Sequence, residues 1–127
     1  MDESFGKKYK LCSKKVMTSI FEEGKQEKVY PFLLRYLEVD LKTDTCFQVV
    51  IAVPKRKFKR AVDRNRIKRL IREAVRKKKY IIEQSMTPEE MQLALFLIYT
   101  SSQEESYQKI IDKIEALFLR LVESRGQ

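Results

Sequence analysis

A chain of 127 residues with 43% hydrophobic residues, 3 Gly and 3 Pro suffices for one domain with its own core. It carries a formal net charge of +9, no histidine and 2 cysteines, which removes the commonest general base and any zinc site of ordinary composition. The longest apolar run, Leu93 to Tyr99, is far below the roughly 18 residues of a membrane span, and the acidic start Met1-Asp2-Glu3-Ser4 leads into no secretion signal, so a cytoplasmic protein with no membrane partner is expected.

Taken in order, residues 1–11 read as a flexible arm carrying Lys7, Lys8, Tyr9 and Lys10. Ser13 is placed to cap a helix running to Glu23, followed by Gly24 where a left-handed residue is favoured. Val16, Met17, Ile20 and Phe21 recur at helical spacing, and the Met17–Phe21 pair fits core packing. Residues 29–41 are rich in β-branched, aromatic and leucine residues, with Pro31 near the start. Arg35 alternates there with apolar neighbours, so its face should be partly open to solvent or a partner. A turn at residues 42–45 leads to a second strand, Cys46 to Val53, expected to pair with the first as an antiparallel hairpin. Cys12 and Cys46, 34 residues apart in a chain that is not secreted, read as small buried residues rather than a disulfide.

Pro54 ends that strand and opens the most charged stretch of the chain. Residues 55–79 hold 14 of the 27 basic residues against two acids, a local net of +12 that leaves −3 for everything else. One cationic stripe on a mildly acidic body is the electrostatic footprint of a polyanion-binding surface. Asp63 is a candidate N-cap, and Ile67, Leu70, Ile71, Ala74 and Val75 form a core-facing stripe. At 100° per residue this stripe fills about 140°, while Asn65, Lys68, Arg69, Arg72 and Arg76 share an adjoining sector of roughly 100°. One face packs and the other is set to meet phosphate. Glu73 is spaced to pair with Arg69 and Lys77, and Lys77-Lys78-Lys79 reads as a solvated tail.

Thr87-Pro88-Glu89-Glu90 is a short capped turn before Met91 to Tyr99, a run too apolar on both faces for an edge. It should be a central strand, parallel to an earlier one. Ser102 with Glu105 forms a capping box for a last helix whose buried stripe is Tyr107, Ile110, Ile111, Ile114, Leu117, Phe118 and Leu121. The order is α-β-β-α-β-α, with room for an extra short strand near Phe58, in one α/β domain (α+β, two-layer) spanning residues 1–127.

An Arg/Lys/Asn helix face suits RNA or DNA, because guanidinium groups fork onto phosphate oxygens while the helix fixes their spacing. No two-helix unit with a glycine turn, GXXG loop or RNP1 pattern occurs, which argues against helix-turn-helix, KH and RRM modules. No phosphate-binding glycine loop or nucleophile elbow is present either.

The run Val53-Pro54-Lys55-Arg56, followed by Ala61-Val62-Asp63-Arg64-Asn65-Arg66-Ile67-Lys68-Arg69-Leu70-Ile71-Arg72-Glu73, resembles the signature of the bacterial ribonuclease P protein component. That family is marked by an RNR motif continuing into K-R and R-E along one helix. The likeness extends to Leu11, Ile20-Phe21, Gly24, Phe32-Leu33-Leu34 and the final strand and helix. It implies an α-β-β-(β)-α-β-α fold with a central mixed sheet, ribosomal protein S5 domain 2-like, with a left-handed βαβ crossover. It also implies a function: an RNA catalyst removes the 5′ leader of precursor tRNA using Mg2+ held mainly by RNA and substrate. The protein, one per RNA, binds that RNA and the leader and contributes no catalytic residue. By this resemblance Arg64, Asn65, Arg66, Lys68, Arg69, Arg72 and Arg76, with Lys55, would face the catalytic RNA. Met17, Phe21, Leu33 and Arg35 would line the leader cleft. Met17 stands where the family often has Phe, and Tyr99-Thr100-Ser101-Ser102 where relatives often place Lys or Arg. The competing expectation is a structural or ribosome-associated RNA-binding protein without an enzymatic partner.

Overall fold

The structure, a computed structural model, describes residues 6–125. After a 3-10 turn at Lys7–Tyr9 the elements are α1 (Lys14–Glu23), β1 (Lys25–Val29), β2 (Phe32–Glu38), β3 (Phe47–Ala52), α2 (Ala61–Lys78), α3 (Tyr80–Glu83), β4 (Leu93–Tyr99) and α4 (Tyr107–Arg125). Four strands form one mixed sheet in the order β1-β2-β4-β3. β4 runs antiparallel to β2, from Phe32 opposite Tyr99 to Glu38 opposite Leu93, and parallel to β3, from Phe47 opposite Leu93 to Ala52 opposite Ile98.

The expected hairpin between the Phe32 and Phe47 strands does not form. β2 pairs instead with β1, Lys25 opposite Tyr36 through Val29 opposite Phe32, and β4 separates β2 from β3. The cause is burial: β4 is apolar on both faces and takes a central place, whereas Lys-Gln-Glu-Lys-Val suits a solvated edge. The extra strand is thus β1, not a segment at Phe58. Phe58 follows a turn in which the Lys57 and Phe58 amides donate to the Pro54 carbonyl. Pro31 lies in the β1–β2 turn rather than in a strand.

Alternation sorts the sheet residues. Phe32, Leu34, Tyr36, Phe47, Val49, Leu93, Leu95, Leu97 and Tyr99 form the main core with Ile67, Ile71, Ala74 and Val75 of α2 and Ile110, Ile114, Leu117, Phe118 and Leu121 of α4. Leu70, Tyr107 and Ile111 are partly buried against it. On the opposite face α1 lays Val16, Met17 and Ile20 over Leu37, Ala94, Val50 and Phe96, a smaller cluster.

Several boundaries differ from the sequence-based expectation. The Ser13 hydroxyl does cap α1, accepting from the Val16 amide at 3.2 Å. Gly24, however, has φ −70° and ψ 156°, an ordinary extended conformation. It is required for space: a Cβ there would stand 2.3 Å from the Ile20 carbonyl oxygen and 2.9 Å from that of Tyr36. α2 begins after Arg60, so Asp63 lies inside the first turn, where its carboxylate favours the positive helix end. Ser106, not Ser102, caps α4, its hydroxyl accepting from the Lys109 amide at 3.2 Å. Glu105 instead receives the Ser101 hydroxyl at 3.0 Å.

Of the expected arm, residues 1–5 lie outside the described residues, and the rest packs on the sheet, with Tyr9 and Leu11 buried; Cys46 is buried as expected, whereas Cys12, just before α1, is exposed. The end of α2 is not a solvated tail either. Lys78 pairs with Glu115 at 2.6 Å, and Lys79 is only 2% exposed, its ammonium donating to the Tyr9 hydroxyl at 3.0 Å.

Candidate nucleic-acid interface

The α2 stripe that packs on the sheet leaves the basic side chains in three distinct situations. Arg64 turns back on the chain, its guanidinium donating to the Phe58 and Lys59 carbonyls at 2.7 and 3.0 Å. It therefore pins the β3–α2 connection. Arg66 forks onto Glu104 at 2.6 and 2.8 Å and reaches Asp63 at 3.0 Å. Hydrogen bonds and charge from Glu104 raise the Arg66 pKa, and the same contacts hold the Glu104 carboxyl below its usual range. Arg76 pairs with Glu73 at 2.5 Å. Glu73 thus takes the i,i+3 cation, not Arg69 at i−4, and the Arg76 hydrogen bond lowers its pKa.

Four polar side chains of the helix are open. Asn65, Arg69 and Arg72 are exposed and Lys68 half-buried; none makes a hydrogen bond or ion pair among the described residues. Lys55, also exposed, follows β3 in the connection to α2. The Lys57 ammonium donates to the Thr100 carbonyl just past β4, supplying a cation beside the Thr100-Ser101-Ser102 segment.

The second sheet face carries the other candidate group. Phe21 of α1 is 49% exposed, and its ring meets Phe96 edge-on with centroids 4.8 Å apart. Arg35, opposite Phe96 in the β2–β4 register, stands 5.7 Å from the Phe21 ring centre and donates to the Phe21 carbonyl at 3.1 Å and the Gln26 side chain at 3.0 Å. Arg35 is thus held as a brace between α1 and the sheet. Leu33, Ile98 and Ala52 form the next row, half-buried beyond the α1 cluster. Met17, Phe21, Leu33 and Arg35 therefore share one face, with Met17 packed in the α1 cluster.

Sequence reasoning missed Phe96, Ile98 and Val50, which carry the floor of this face. Their signal was present in strand alternation, for Phe96 and Ile98 once Leu93, Leu95, Leu97 and Tyr99 of β4 are given to the core, and for Val50 once Phe47 and Val49 of β3 are. The apolar cleft and the open cations adjoin at the β3 edge, where Val50, opposite Phe96 in the cleft floor, also lines a groove with Lys68 and Arg72. An aromatic strip bordered by phosphate-binding cations can hold single-stranded nucleic acid by stacking and charge together. Among the described residues no three acidic or thiol side chains converge to hold a metal, and no helix is long and apolar enough to cross a membrane.

A family model for Ribonuclease P matches residues 5–122. A ribonuclease P protein component from Porphyromonas gingivalis is 25% identical over 115 residues, covering 91% of this chain and 84% of that protein. The fold is similar to the ribonuclease P protein of Thermotoga maritima, with a TM-score of 0.71 and 22% identity over 87% of this chain and 96% of that one. The Staphylococcus aureus protein gives 0.67 and 20%, covering 89% and 94%. With the mixed sheet, the RNR-bearing α2 and a match over nearly its whole length, the chain belongs to the ribonuclease P protein family.

Proposed function

We propose that this chain is the protein subunit of a bacterial ribonuclease P. It binds the catalytic RNA and the 5′ leader of precursor tRNA, and so assists endonucleolytic formation of the mature tRNA 5′ end. The observation that carries the reading is the adjacency of two surfaces through Val50 at the β3 edge: the open α2 cations Lys68 and Arg72 and the Phe21–Phe96 cleft, in a member of this family.

In this mechanism Lys68, Arg69 and Arg72, with Lys55 and Asn65, lie against phosphates of the catalytic RNA, displacing counterions. The leader runs as a single strand over Leu33, Phe96 and Ile98, with Phe21 offering a half-exposed ring for a base. Arg64 and Arg66 contribute indirectly, Arg64 by fixing the connection that carries Lys55 and Arg66 by tying α2 to the segment before α4. The product has lost the leader and therefore the cleft contacts, so the subunit favours substrate. Mg2+ supplies charge stabilisation for the phosphodiester cleavage and is held by RNA and substrate. The polypeptide positions the RNA strands and contributes no proton-transfer group of its own. Such a subunit works in the cytoplasm.

The test is reconstitution. Adding the chain to a bacterial ribonuclease P RNA at low Mg2+ should restore cleavage of precursor tRNA. Cleavage by the protein in the absence of added RNA, in preparations free of endogenous RNA, would overturn the reading in favour of a protein nuclease.

A further inference from the structure

The segment preceding α1 is built onto the sheet by several independent contacts. Lys10 bridges Val49 in parallel register, and the Leu11 amide donates to the Val49 carbonyl at 3.1 Å. The Lys8 carbonyl accepts from the Gln48 side chain at 3.0 Å. Tyr9 is buried with its ring 5.3 Å from Phe47, and its hydroxyl donates to Glu83 at 2.8 Å while accepting from Lys79. This anchorage fixes where Lys7 and Lys10 stand.

They stand across a groove from α2. The groove, about 590 Å³, has Lys7 and Lys10 on one wall and Lys68 and Arg72 on the other, with Leu11, Val50 and Ile51 as its apolar floor. None of the four cations pairs with a carboxylate among the described residues. That distinguishes them from Arg66, Arg76 and Lys78 of the same helix, each of which has an acidic partner. Like charges held on facing walls by a folded scaffold repel one another, and an anionic chain between them removes the repulsion. Among the described residues no aromatic ring or side-chain amide lines the groove, so it offers charge for phosphates rather than a surface on which bases stack.

We propose that this groove holds the sugar–phosphate backbone of an RNA strand, with the N-terminal segment as its second wall. The proposal rests on the function proposed above and extends the RNA surface beyond α2 to residues that precede α1. The strand belongs either to the catalytic RNA or to the precursor leader, which share this chemistry.

The variant for the test is K7Q/K10Q, which removes two exposed charges and leaves Tyr9 and its partners intact. One arm measures affinity of the full chain for a bacterial ribonuclease P RNA as a function of salt. The other measures, again as a function of salt, affinity of the reconstituted holoenzyme for precursor tRNA with its leader and for mature tRNA. If the groove holds catalytic RNA, the logarithm of affinity against the logarithm of salt becomes shallower by about 1.5 in the first arm. If it holds the leader, that loss appears only in the second arm and only for precursor. Unchanged slopes in both arms, with the wild-type protein binding normally, overturn the groove and leave the subunit reading standing. Failure of the wild-type protein to bind the RNA overturns both.

Discussion

The Lys79 ammonium donates to the Tyr9 hydroxyl at 3.0 Å and stands 4.5 Å from the centre of the same ring, in a pocket that leaves the lysine only 2% exposed. Glu83, 3.7 Å from the ammonium, receives the Tyr9 hydroxyl as well. A buried charge is tolerated when its donors are satisfied, and here one phenol links the lysine to its carboxylate. Tyr9→Phe should therefore destabilise the fold by about 1–2 kcal/mol through loss of those hydrogen bonds. Urea unfolding at neutral pH measures it, and a midpoint equal to that of the wild type would mean that the network contributes nothing.

Lys79 also shows how the sequence hides and reveals structure. Within Lys77-Lys78-Lys79 it looks like one of three solvated charges, yet it falls four residues after Val75 and eight after Ile71, in line with the buried stripe. The α2 and α4 stripes and the central place of β4 were legible because their apolar periodicity is strong. β1 was not, since an exposed edge strand of Lys-Gln-Glu-Lys-Val needs no hydrophobic alternation. The place of β4 between β2 and β3 is a long-range pairing that no local pattern encodes. In the candidate site, sequence position could gather the basic residues of α2 on one face but could not say which had acidic partners. Glu104, which holds Arg66, lies 38 residues further along the chain.

Arg64 and its neighbours should separate stability from binding. Removing the Arg64 guanidinium frees the Phe58 and Lys59 carbonyls, so Arg64→Ala should cost about 1–3 kcal/mol. Replacing Lys68, Arg69 and Arg72 together by Ala touches no internal ion pair among the described residues. It should shift stability by about 0.5 kcal/mol or less per site while making the RNA salt dependence shallower by about 2–3. Unfolding midpoints and RNA titrations on both variants check the contrast; equal RNA affinity in a folded triple variant would refute the phosphate assignment.

Glu104→Gln should release Arg66 toward RNA and tighten binding at low salt. The Arg66 hydrogen bonds lower the Glu104 pKa on folding, so the stabilisation is present above the ordinary carboxylate value of 4.5 and fades as pH falls through the depressed one. The stability difference between wild type and variant should thus be largest near neutral pH and shrink in acid. A gap that widens in acid would contradict this linkage. The pair is surface-exposed, so the effect is small and screened by salt.

Phe21→Leu and Phe96→Leu keep apolar volume and remove the rings that border the cleft. Both variants should bind ribonuclease P RNA with wild-type affinity while the holoenzyme loses most of its preference for precursor over mature tRNA. Loss of RNA affinity with preserved preference would reverse the assignment of the two surfaces.

The most direct measurement is precursor tRNA cleavage at low Mg2+ by a bacterial ribonuclease P RNA with and without this protein. Rescue by the wild-type chain, reduced by the Lys68, Arg69 and Arg72 replacements and restored at high Mg2+, is the expected result. A folded protein that leaves cleavage unchanged across Mg2+ concentrations would contradict its role as the subunit of this enzyme.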